Sequence, residues 1–486
     1  MSKENRKHNL SNLKFFVVKA RGHHPPRVIS QPREFHSSNN LINFCIFSFY
    51  FCLLVGNLGW RDAFNRLVEF LDEYDKDRKF DFSGRLRGRF EKLENGVMES
   101  IIFEATGSLI PTARVWIRKF RKSLYEMVRV SGVKEVLMTR ELRSFISNPE
   151  NHLKKKIMFY LHDALRNVIS IEEFEEKAFA AIKTSIRTNM RTIYQDWVYI
   201  NIVTLIAYEG GGIVYPENLI FSLERSGAQR VGWIPPNVIL RIPSYGYISM
   251  FIEAPRPIGW GDSKELKKIW KLYTTLRPDM MIRGGKVLNI LDLSSDPPVK
   301  RPDAIIEVKE LSDWFDRARE VRGPFAEPLT VEKWRSMWIE GLWDGLAGIL
   351  GVERKSSRDN GDRKKVRRLK DVDIVKLYQA VYRPKIMIVV TRKRTPSKIR
   401  KELEANNIIV VDNVGFNRNN LRYVVELLKR IARKEEEITL KIWGELYKEI
   451  NCLADKIGCS EEELIYALLR IGLRHESEIR DFVKEY

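Results

Sequence analysis

Two short segments in the middle of the chain carry acidic and basic side chains at a spacing that suits metal-assisted chemistry. The first, LRPDMMIR, contains Asp279, and the second, RPDAIIEVKE, contains Glu307 and Lys309. Side chains alternate along a strand, so Glu307 and Lys309 share one face of the second segment. If the two segments are neighbouring strands, Asp279 meets Glu307 across the ladder, and two carboxylates converge beside an ammonium group.

This constellation suits Mg²⁺, a hard cation that takes carboxylate, backbone carbonyl and water oxygens and needs no histidine. No histidine occurs between positions 163 and 474, so chemistry there depends on other residue types. A bound metal can lower the pKa of its water and stabilise charge that develops on a phosphodiester. Lys309 could orient or deprotonate that water, or offset charge on the phosphate. Mn²⁺ could replace Mg²⁺, because it accepts the same oxygen ligands.

The same residues also have a purely structural interpretation. Asp279 and Asp303 both follow a proline at the start of an apolar run, and Glu307 could simply pair with Lys309 at the rim of a sheet. Asp303 also competes with Asp279 as the metal-binding aspartate. It lies four residues before Glu307, which is about 13 Å along a strand and too far for one metal. We therefore prefer Asp279.

The elements that must position these residues change in type along the chain. From 61 to 208 apolar residues recur at helical spacing, and a last helix over 186–208 is expected to stop at Gly210, Gly211 and Gly212. Strand-like runs follow, including KVLNIL, and after 371 helices and strands alternate, which predicts a βαβ crossover and a partly parallel sheet. The predicted class is α/β, or more fully an α+β mixed multidomain chain.

In this order the segments resemble the PD-(D/E)xK nuclease superfamily, which has the restriction-endonuclease-like fold. The resemblance covers Asp279, the run Glu307, Val308 and Lys309, the apolar strand around each half, and the helix and strands over 371–414. It implies that Asp279, Glu307 and the backbone carbonyl of Val308 bind metal. It also implies that Lys309 acts on the attacking water.

The flanking helices extend this resemblance. YQDWVYINIVTLI is similar to the helix of modification-dependent restriction proteins, where Tyr-Glu-x-Trp is usual, and Asp196 takes the place of the Glu as an additional acidic residue. DIVKLYQAVY is similar to the helix that follows the lysine strand. That likeness implies supporting roles around the metal ligands for Asp373, Lys376, Tyr378 and Gln379.

The net charge of 84 − 64 = +20 favours a polyanionic partner, with nucleic acid first and an anionic membrane second. Residues 383–401 contain eight basic and no acidic residues, and four of them are candidates for DNA contact: Arg392, Lys393, Arg394 and Lys398. A second basic run, 352–370, ends a predicted insertion over 312–370. It could contact phosphates or serve as a solvated linker.

The C-terminal segment 437–475 reads as one strand and two helices, too small to bury a core alone, so we expect a homodimer. It resembles the ribbon-helix-helix family, whose dimers insert a two-stranded ribbon into the major groove of DNA. That resemblance implies that Thr439, Lys441 and Trp443 face bases. Acidic residues before the ribbon and at the start of the second helix leave open a role in dimerisation alone.

The N-terminal part of the sequence stands apart from the rest. Residues 1–36 are basic and polar, and 41–58 is an apolar run of marginal length for a membrane span. Four cysteines without a CxxC pair favour a reducing compartment and disfavour a zinc site. A cytoplasmic protein is expected, with membrane anchoring through 41–58 as the alternative. Few glutamines and 30% charged residues are typical of thermophile proteins.

Together these patterns predict a basic tail over 1–60, a helical domain over 61–185, a nuclease-like domain over 186–434 and a small module over 435–486. The predicted function is a Mg²⁺-dependent endodeoxyribonuclease, restriction- or defence-like, that hydrolyses phosphodiester bonds in DNA. The alternative is a non-catalytic DNA-binding regulator, or a mobile-element accessory protein, on the same scaffold.

Overall fold

A computed structural model describes the parts of the chain that carry the predicted site. The described residues are 59–226, 234–254, 256–261, 269–273, 277–290, 300–320, 368–434, 444–472 and 475. The apolar run 41–58, most of the insertion, and the ribbon residues Thr439, Lys441 and Trp443 lie outside them. No helix among the described residues is long and apolar enough to cross a membrane. The chain divides into two compact units, Met1–Lys434 and Glu435–Tyr486.

Helices dominate the described chain as far as residue 208, as the periodicity predicts. They are α1 (Trp60–Tyr74), α2 (Gly84–Thr106), α3 (Leu109–Ser131), α4 (Arg140–Ser147), α5 (Pro149–Leu165) and α6 (Ile171–Tyr208), with one short strand, β1 (Glu135–Leu137), between α3 and α4. Local capping fixes several starts. The Asn148 side chain accepts a hydrogen bond from the Asn151 amide, and Pro149 occupies the first turn of α5.

Helix α6 is the longest of these helices and is longer than predicted. It begins at Ile171, where the Ser170 hydroxyl accepts a hydrogen bond from the Glu173 amide at 3.1 Å, rather than near 186. It therefore runs without a break through 185 and 186, where the helical and nuclease-like domains were divided. The predicted glycine stop is present, since the helix ends at Tyr208 and Gly210 has a φ of +80°.

A seven-stranded mixed sheet forms the centre of the first unit. Its strands are β2 (Gly212–Tyr215), β4 (Val238–Ile242), β5 (Gly246–Ile252), β8 (Met280–Gly284), β9 (Ala304–Lys309), β12 (Ile386–Thr391) and β13 (Ile408–Val411). They lie in the order β13-β12-β9-β8-β5-β4-β2. Strand β9 pairs antiparallel with β8 but parallel with β12, which in turn pairs parallel with β13. The predicted late βαβ crossover and partly parallel sheet are thus confirmed.

Two helices connect the parallel strands, as expected. Helix α7 (Asp371–Tyr382) lies between β9 and β12 in the chain, α8 (Ser397–Glu404) lies between β12 and β13, and α9 (Arg422–Lys429) follows β13. The described strands outside the sheet form three pairs: β1 with β3 (Ile220–Ser222), β6 (Arg256–Gly261) with β7 (Ile269–Tyr273), and β10 (Ala318–Glu320) with β11 (Arg368–Lys370). The last pair brackets most of the predicted insertion.

One predicted strand was wrong. The run KVLNIL is irregular in its described part, Lys286–Ile290, although its composition is strand-like. Its backbone bonds to loops and side chains instead of a ladder, because the Ile290 amide donates to the Ile234 carbonyl and the Val287 amide donates to the Ser249 hydroxyl. Tertiary contacts here override local propensity.

The sheet separates two apolar cores, and this places each side chain of β9. Ile306 and Val308 pack into the larger core, which α6 shares, while Ile305 packs into the core that contains α7 residues. Since side chains alternate, Glu307 and Lys309 project together from the other face, as the sequence predicts, and that face is the one on which α7 packs.

The second unit contains two described helices, α10 (Glu445–Ile457) and α11 (Glu461–Gly472), joined at Gly458, whose φ is +74°. The left-handed glycine ends α10 as predicted. Ile450, Ala454 and Leu464 form the small buried cluster between them.

Candidate active site

The site lies where strand β8 begins and strand β9 ends. Met280 pairs with Ile306, so Asp279 stands just before β8 and opposite Glu307, beyond the last paired residues. The Asp279 amide donates to Oε2 of Glu307 at 3.1 Å, and the Val308 amide donates to Oδ2 of Asp279 at 2.7 Å. The two carboxylates therefore meet across the ladder, as the sequence predicts, and each is oriented by the other strand.

Lys309 is the third member of this group, and it is buried, with only 2% of its area exposed. Its Nζ donates to Oε1 of Glu307 at 2.8 Å and lies 3.6 Å from Oδ2 of Asp371, the first residue of α7. The ammonium group also lies 5.7 Å from the centre of the Trp314 ring. A buried ammonium requires such compensation, because removing it from water without partners is costly.

The surroundings of Asp279 destabilise the charged form of its carboxyl group, and nearby cations offset this only in part. Burial raises its pKa well above the ordinary value, and the negative charge of Glu307 raises it further. Positive charge on Arg191 and Lys309 acts in the opposite direction, and Glu253 adds to the rise. A carboxylate in this position is stabilised either by a proton or by an additional cation.

A further pair of acidic residues adjoins this group. Asp196 lies on α6, is 2% exposed, and its Oδ2 accepts no hydrogen bond from the described residues. Burial raises its pKa, and negative charge on Glu253 and Asp279 raises it further. Glu253 directly follows β5, accepts a hydrogen bond from Gln195 at 3.4 Å and pairs with Arg225 at 2.5 Å. The predicted acidic residue of the helix is thus electrostatically coupled to the strand-end carboxylates.

Helix α7 supports the site mainly through residues other than the predicted pair Asp373 and Lys376. These two lie 3.4 Å apart, and Lys376 also bonds to Glu402. In the described part of the chain neither makes a hydrogen bond or ion pair with the strand-end residues. The Tyr378 hydroxyl donates to the Arg277 carbonyl at 2.9 Å, which fixes the segment leading into Asp279.

Gln379, on the same helix, is another residue that the sequence predicts to support the site. Its Oε1 is buried and accepts no hydrogen bond within the described residues. A buried amide oxygen of this kind is costly unless a donor or cation reaches it.

The four basic candidates that follow β12 differ in what they contact. Lys393, Arg394 and Lys398 are exposed. Arg392 is half-buried, donates from Nε to the Glu310 carbonyl at 2.7 Å and lies 4.7 Å from the centre of the Trp116 ring. Arg392 is therefore held in place by the protein, while the other three are accessible to a ligand.

The donor set fits a hard divalent cation in its chemistry. Two carboxylates converge, and the Val308 carbonyl leaves β9 on the side of its amide, toward Asp279, because both groups of a strand residue point the same way. The orphaned Oδ2 of Asp196 and the raised pKa of Asp279 both favour added positive charge. The described residues contain no group of three or more His, Cys, Asp or Glu already arranged to hold a metal.

Two contributors were missed by sequence reasoning. Asp371, and not Asp373, approaches Lys309, because the first residue of α7 points back toward the strand end. Its signal was the DVD sequence at the predicted helix start, where either aspartate could serve. Glu253 was also missed, although it ends an apolar run, FIEA, whose strand pairs with β8.

Comparison with known proteins gives no relative of this chain: no protein-family model, no curated protein and no solved structure matches it. Functional inference therefore depends on the residues and their geometry.

Proposed function

We propose that the protein is a Mg²⁺-dependent DNA endonuclease of the PD-(D/E)xK type. The observation that carries the proposal is the convergence of Asp279, Glu307 and Lys309 at the adjoining ends of two antiparallel strands, away from water. Two carboxylates and one ammonium in this arrangement suit the hydrolysis of an anionic phosphodiester. Mn²⁺ is the expected substitute metal.

Each residue has a separate role in this proposal. Asp279, Glu307 and the Val308 carbonyl hold the metal, and Asp196 supplies additional negative charge from α6. Mg²⁺, when bound, lowers the pKa of a coordinated water and offsets charge on the phosphate. Lys309 orients the attacking water and stabilises the negative charge that builds up on the phosphate oxygens. The hydrogen bond from the Val308 amide keeps the Asp279 carboxylate directed toward the proposed metal position.

We also propose that the second unit pairs two chains. Its two described helices bury only three apolar residues together, whereas eight large apolar side chains stay exposed on them. These are Leu446, Tyr447, Leu453, Ile457, Tyr466, Leu468, Leu469 and Ile471. So much apolar surface on so small a unit favours a second copy of the same helices as its cover. Two chains would present two active sites to the two strands of DNA.

Cleavage of supercoiled plasmid DNA with and without Mg²⁺ tests the catalytic proposal. Glu307→Ala removes a metal ligand and the partner of Lys309, so we expect cleavage to fall at least about 100-fold. Glu404→Ala is the matched control, because Glu404 is an exposed glutamate on α8. It should cleave like the wild-type protein.

Cleavage that survives in Glu307→Ala, or that chelation of divalent metal does not affect, would contradict the proposal. Salt-dependent DNA binding that Glu307→Ala leaves unaltered, with no cleavage in Mg²⁺ or Mn²⁺, would instead identify a non-catalytic DNA-binding protein.

A further inference from the structure

Helix α3 of the helical region carries a strip of exposed cations. Arg118, Lys119 and Lys122 are all exposed, and their i, i+1 and i+4 spacing places them on neighbouring parts of one helix face. Arg118 and Lys122 are separated by about 6 Å along the helix axis. The opposite face of α3 is buried against the core and contains Trp116 and Phe120.

Aromatic contacts join one member of this strip, Lys119, to the residues that follow strand β12. The Arg392 guanidinium lies 4.7 Å from the centre of the Trp116 ring, and the Trp116 and Phe416 rings are 5.2 Å apart. The Lys119 ammonium lies 5.2 Å from the centre of the Phe416 ring. Cation–π contacts of this kind hold the cationic groups in place without neutralising them.

The backbone connects the same surface to the candidate active site. The Arg392 amide donates to the Lys309 carbonyl at 2.9 Å, and the Gly415 amide donates to the Arg392 carbonyl at 3.0 Å. Exposed Lys393 and Arg394 follow directly. The α3 cations and those after β12 thus flank one contact, in which Lys119 packs on Phe416 and Phe416 on Trp116, beside Arg392, whose amide bonds to the strand carrying Lys309.

Acidic side chains do not neutralise this surface. In the described part of the chain, Arg118, Lys122, Lys393 and Arg394 form no salt bridge. The charge of Glu310 acts on Arg392, while Glu126 and Asp412 pair with other cations. Glu126 pairs with Arg418 at 2.7 Å, and Asp412 lies 3.6 Å from Arg400.

We infer that the α3 cations Arg118, Lys119 and Lys122 bind the phosphate backbone of duplex DNA and extend the substrate surface from the active site onto the helical region. The inference deepens the proposed function and depends on its assignment of DNA as the substrate. A line of unpaired cations on a rigid helix matches a line of phosphates, and each contact releases counterions from the DNA. Such contacts position the duplex and do not read its sequence.

The test measures binding of a short fluorescent DNA duplex by the full chain in the presence of EDTA, so that no cleavage occurs. The triple variant Arg118→Ala, Lys119→Ala and Lys122→Ala should bind at least about tenfold more weakly at about 100 mM salt. The slope of log affinity against log salt should become shallower by about 2 to 3, since each lost phosphate contact contributes about 0.9.

A charge-matched control removes three exposed cations from α2 and α5. It is the triple variant Arg85→Ala, Lys92→Ala and Lys155→Ala. This variant should retain the wild-type affinity and salt slope, and circular dichroism should show that both triple variants are folded.

Equal weakening by both triple variants would overturn the inference, because it would show that only the total charge matters. Wild-type affinity in the α3 variant would also overturn it. So would an α3 variant that loses binding to duplex RNA or to anionic phospholipid vesicles but binds DNA normally. Because binding is measured without metal, these results are separate from loss of Mg²⁺-dependent cleavage, which tests the active site alone.

Discussion

Two buried aspartates lie at opposite ends of strand β9, and their surroundings shift their pKa values in opposite directions. Asp279 meets Glu307 beside the last residues of the strand, and burial followed by the charge of Glu307 raises its pKa. Asp303 directly precedes the strand and is about as buried. Burial also acts to raise its pKa, but the Gly284 amide, Lys385 and Arg433 outweigh it, and the pKa is lowered.

The contacts of Asp303 explain this difference. Its carboxylate accepts a hydrogen bond from the Gly284 amide at 3.0 Å and one from Arg433 at 2.7 Å, and Lys385 lies 3.2 Å away. The segment containing Arg433 also bonds with Tyr247 through two backbone hydrogen bonds, of 2.8 and 3.1 Å. A Cβ at Gly284 would come within 2.0 Å of the Ile431 carbonyl, so glycine is required for this close approach.

This comparison distinguishes a structural carboxylate from one suited to a ligand. The charge of Asp303 is compensated by protein donors, and these contacts join the sheet to the chain segment after α9. The charge of Asp279 is compensated only in part in a buried site, which lowers the stability of the fold when no cation is bound. Stability traded in this way is common at functional sites.

The largest expected effect on stability comes from removing the compensated carboxylate. Asp303→Ala leaves the Gly284 amide and the Arg433 guanidinium without their acceptor, so unfolding in urea should show a loss of about 2–4 kcal/mol. Asp81→Ala is the control, because Asp81 is an exposed aspartate that makes no hydrogen bond or ion pair with the described residues, and it should change stability by less than about 0.5 kcal/mol. An Asp303→Ala variant as stable as this control would contradict the structural role of Asp303.

The second effect should have the opposite sign. Asp279→Asn removes a strained charge but keeps an oxygen for the Val308 amide, so the metal-free protein should gain about 0.5–2 kcal/mol of stability in the same urea experiment. A loss of stability would show that the carboxylate is fully compensated, contrary to its raised pKa.

The third effect is the pH dependence of these two differences. The lowered pKa of Asp303 gives stability that is present above the unfolded pKa and is lost as pH falls through the folded pKa. The raised pKa of Asp279 gives stability that is present below the unfolded pKa and is lost as pH rises through the folded pKa. Unfolding measured from acid to neutral pH should therefore show both variant effects growing with pH, in opposite directions. Parallel curves for the wild type and either variant would contradict the assignment of that pKa.

Much of this arrangement follows from local sequence pattern. The alternation in RPDAIIEVKE fixes which face Glu307 and Lys309 share, and the two apolar runs predict the pairing that brings Asp279 alongside them. The Asp303 cluster was not predictable, since Arg433 is 130 positions away and no local period connects the two. Asp371 was missed for a related reason, because only the angle at which α7 leaves β11 decides between Asp371 and Asp373.

The most direct test of the proposed nuclease measures Mg²⁺-dependent cleavage of duplex DNA by Asp279→Asn and Asp303→Asn side by side, at a temperature at which both are folded. We expect Asp279→Asn to lose cleavage by at least about 100-fold while staying folded, because it loses a metal ligand. Asp303→Asn should cleave at close to the wild-type rate. Full cleavage by a folded Asp279→Asn, or equal losses in the two variants, would contradict a metal-binding role for Asp279.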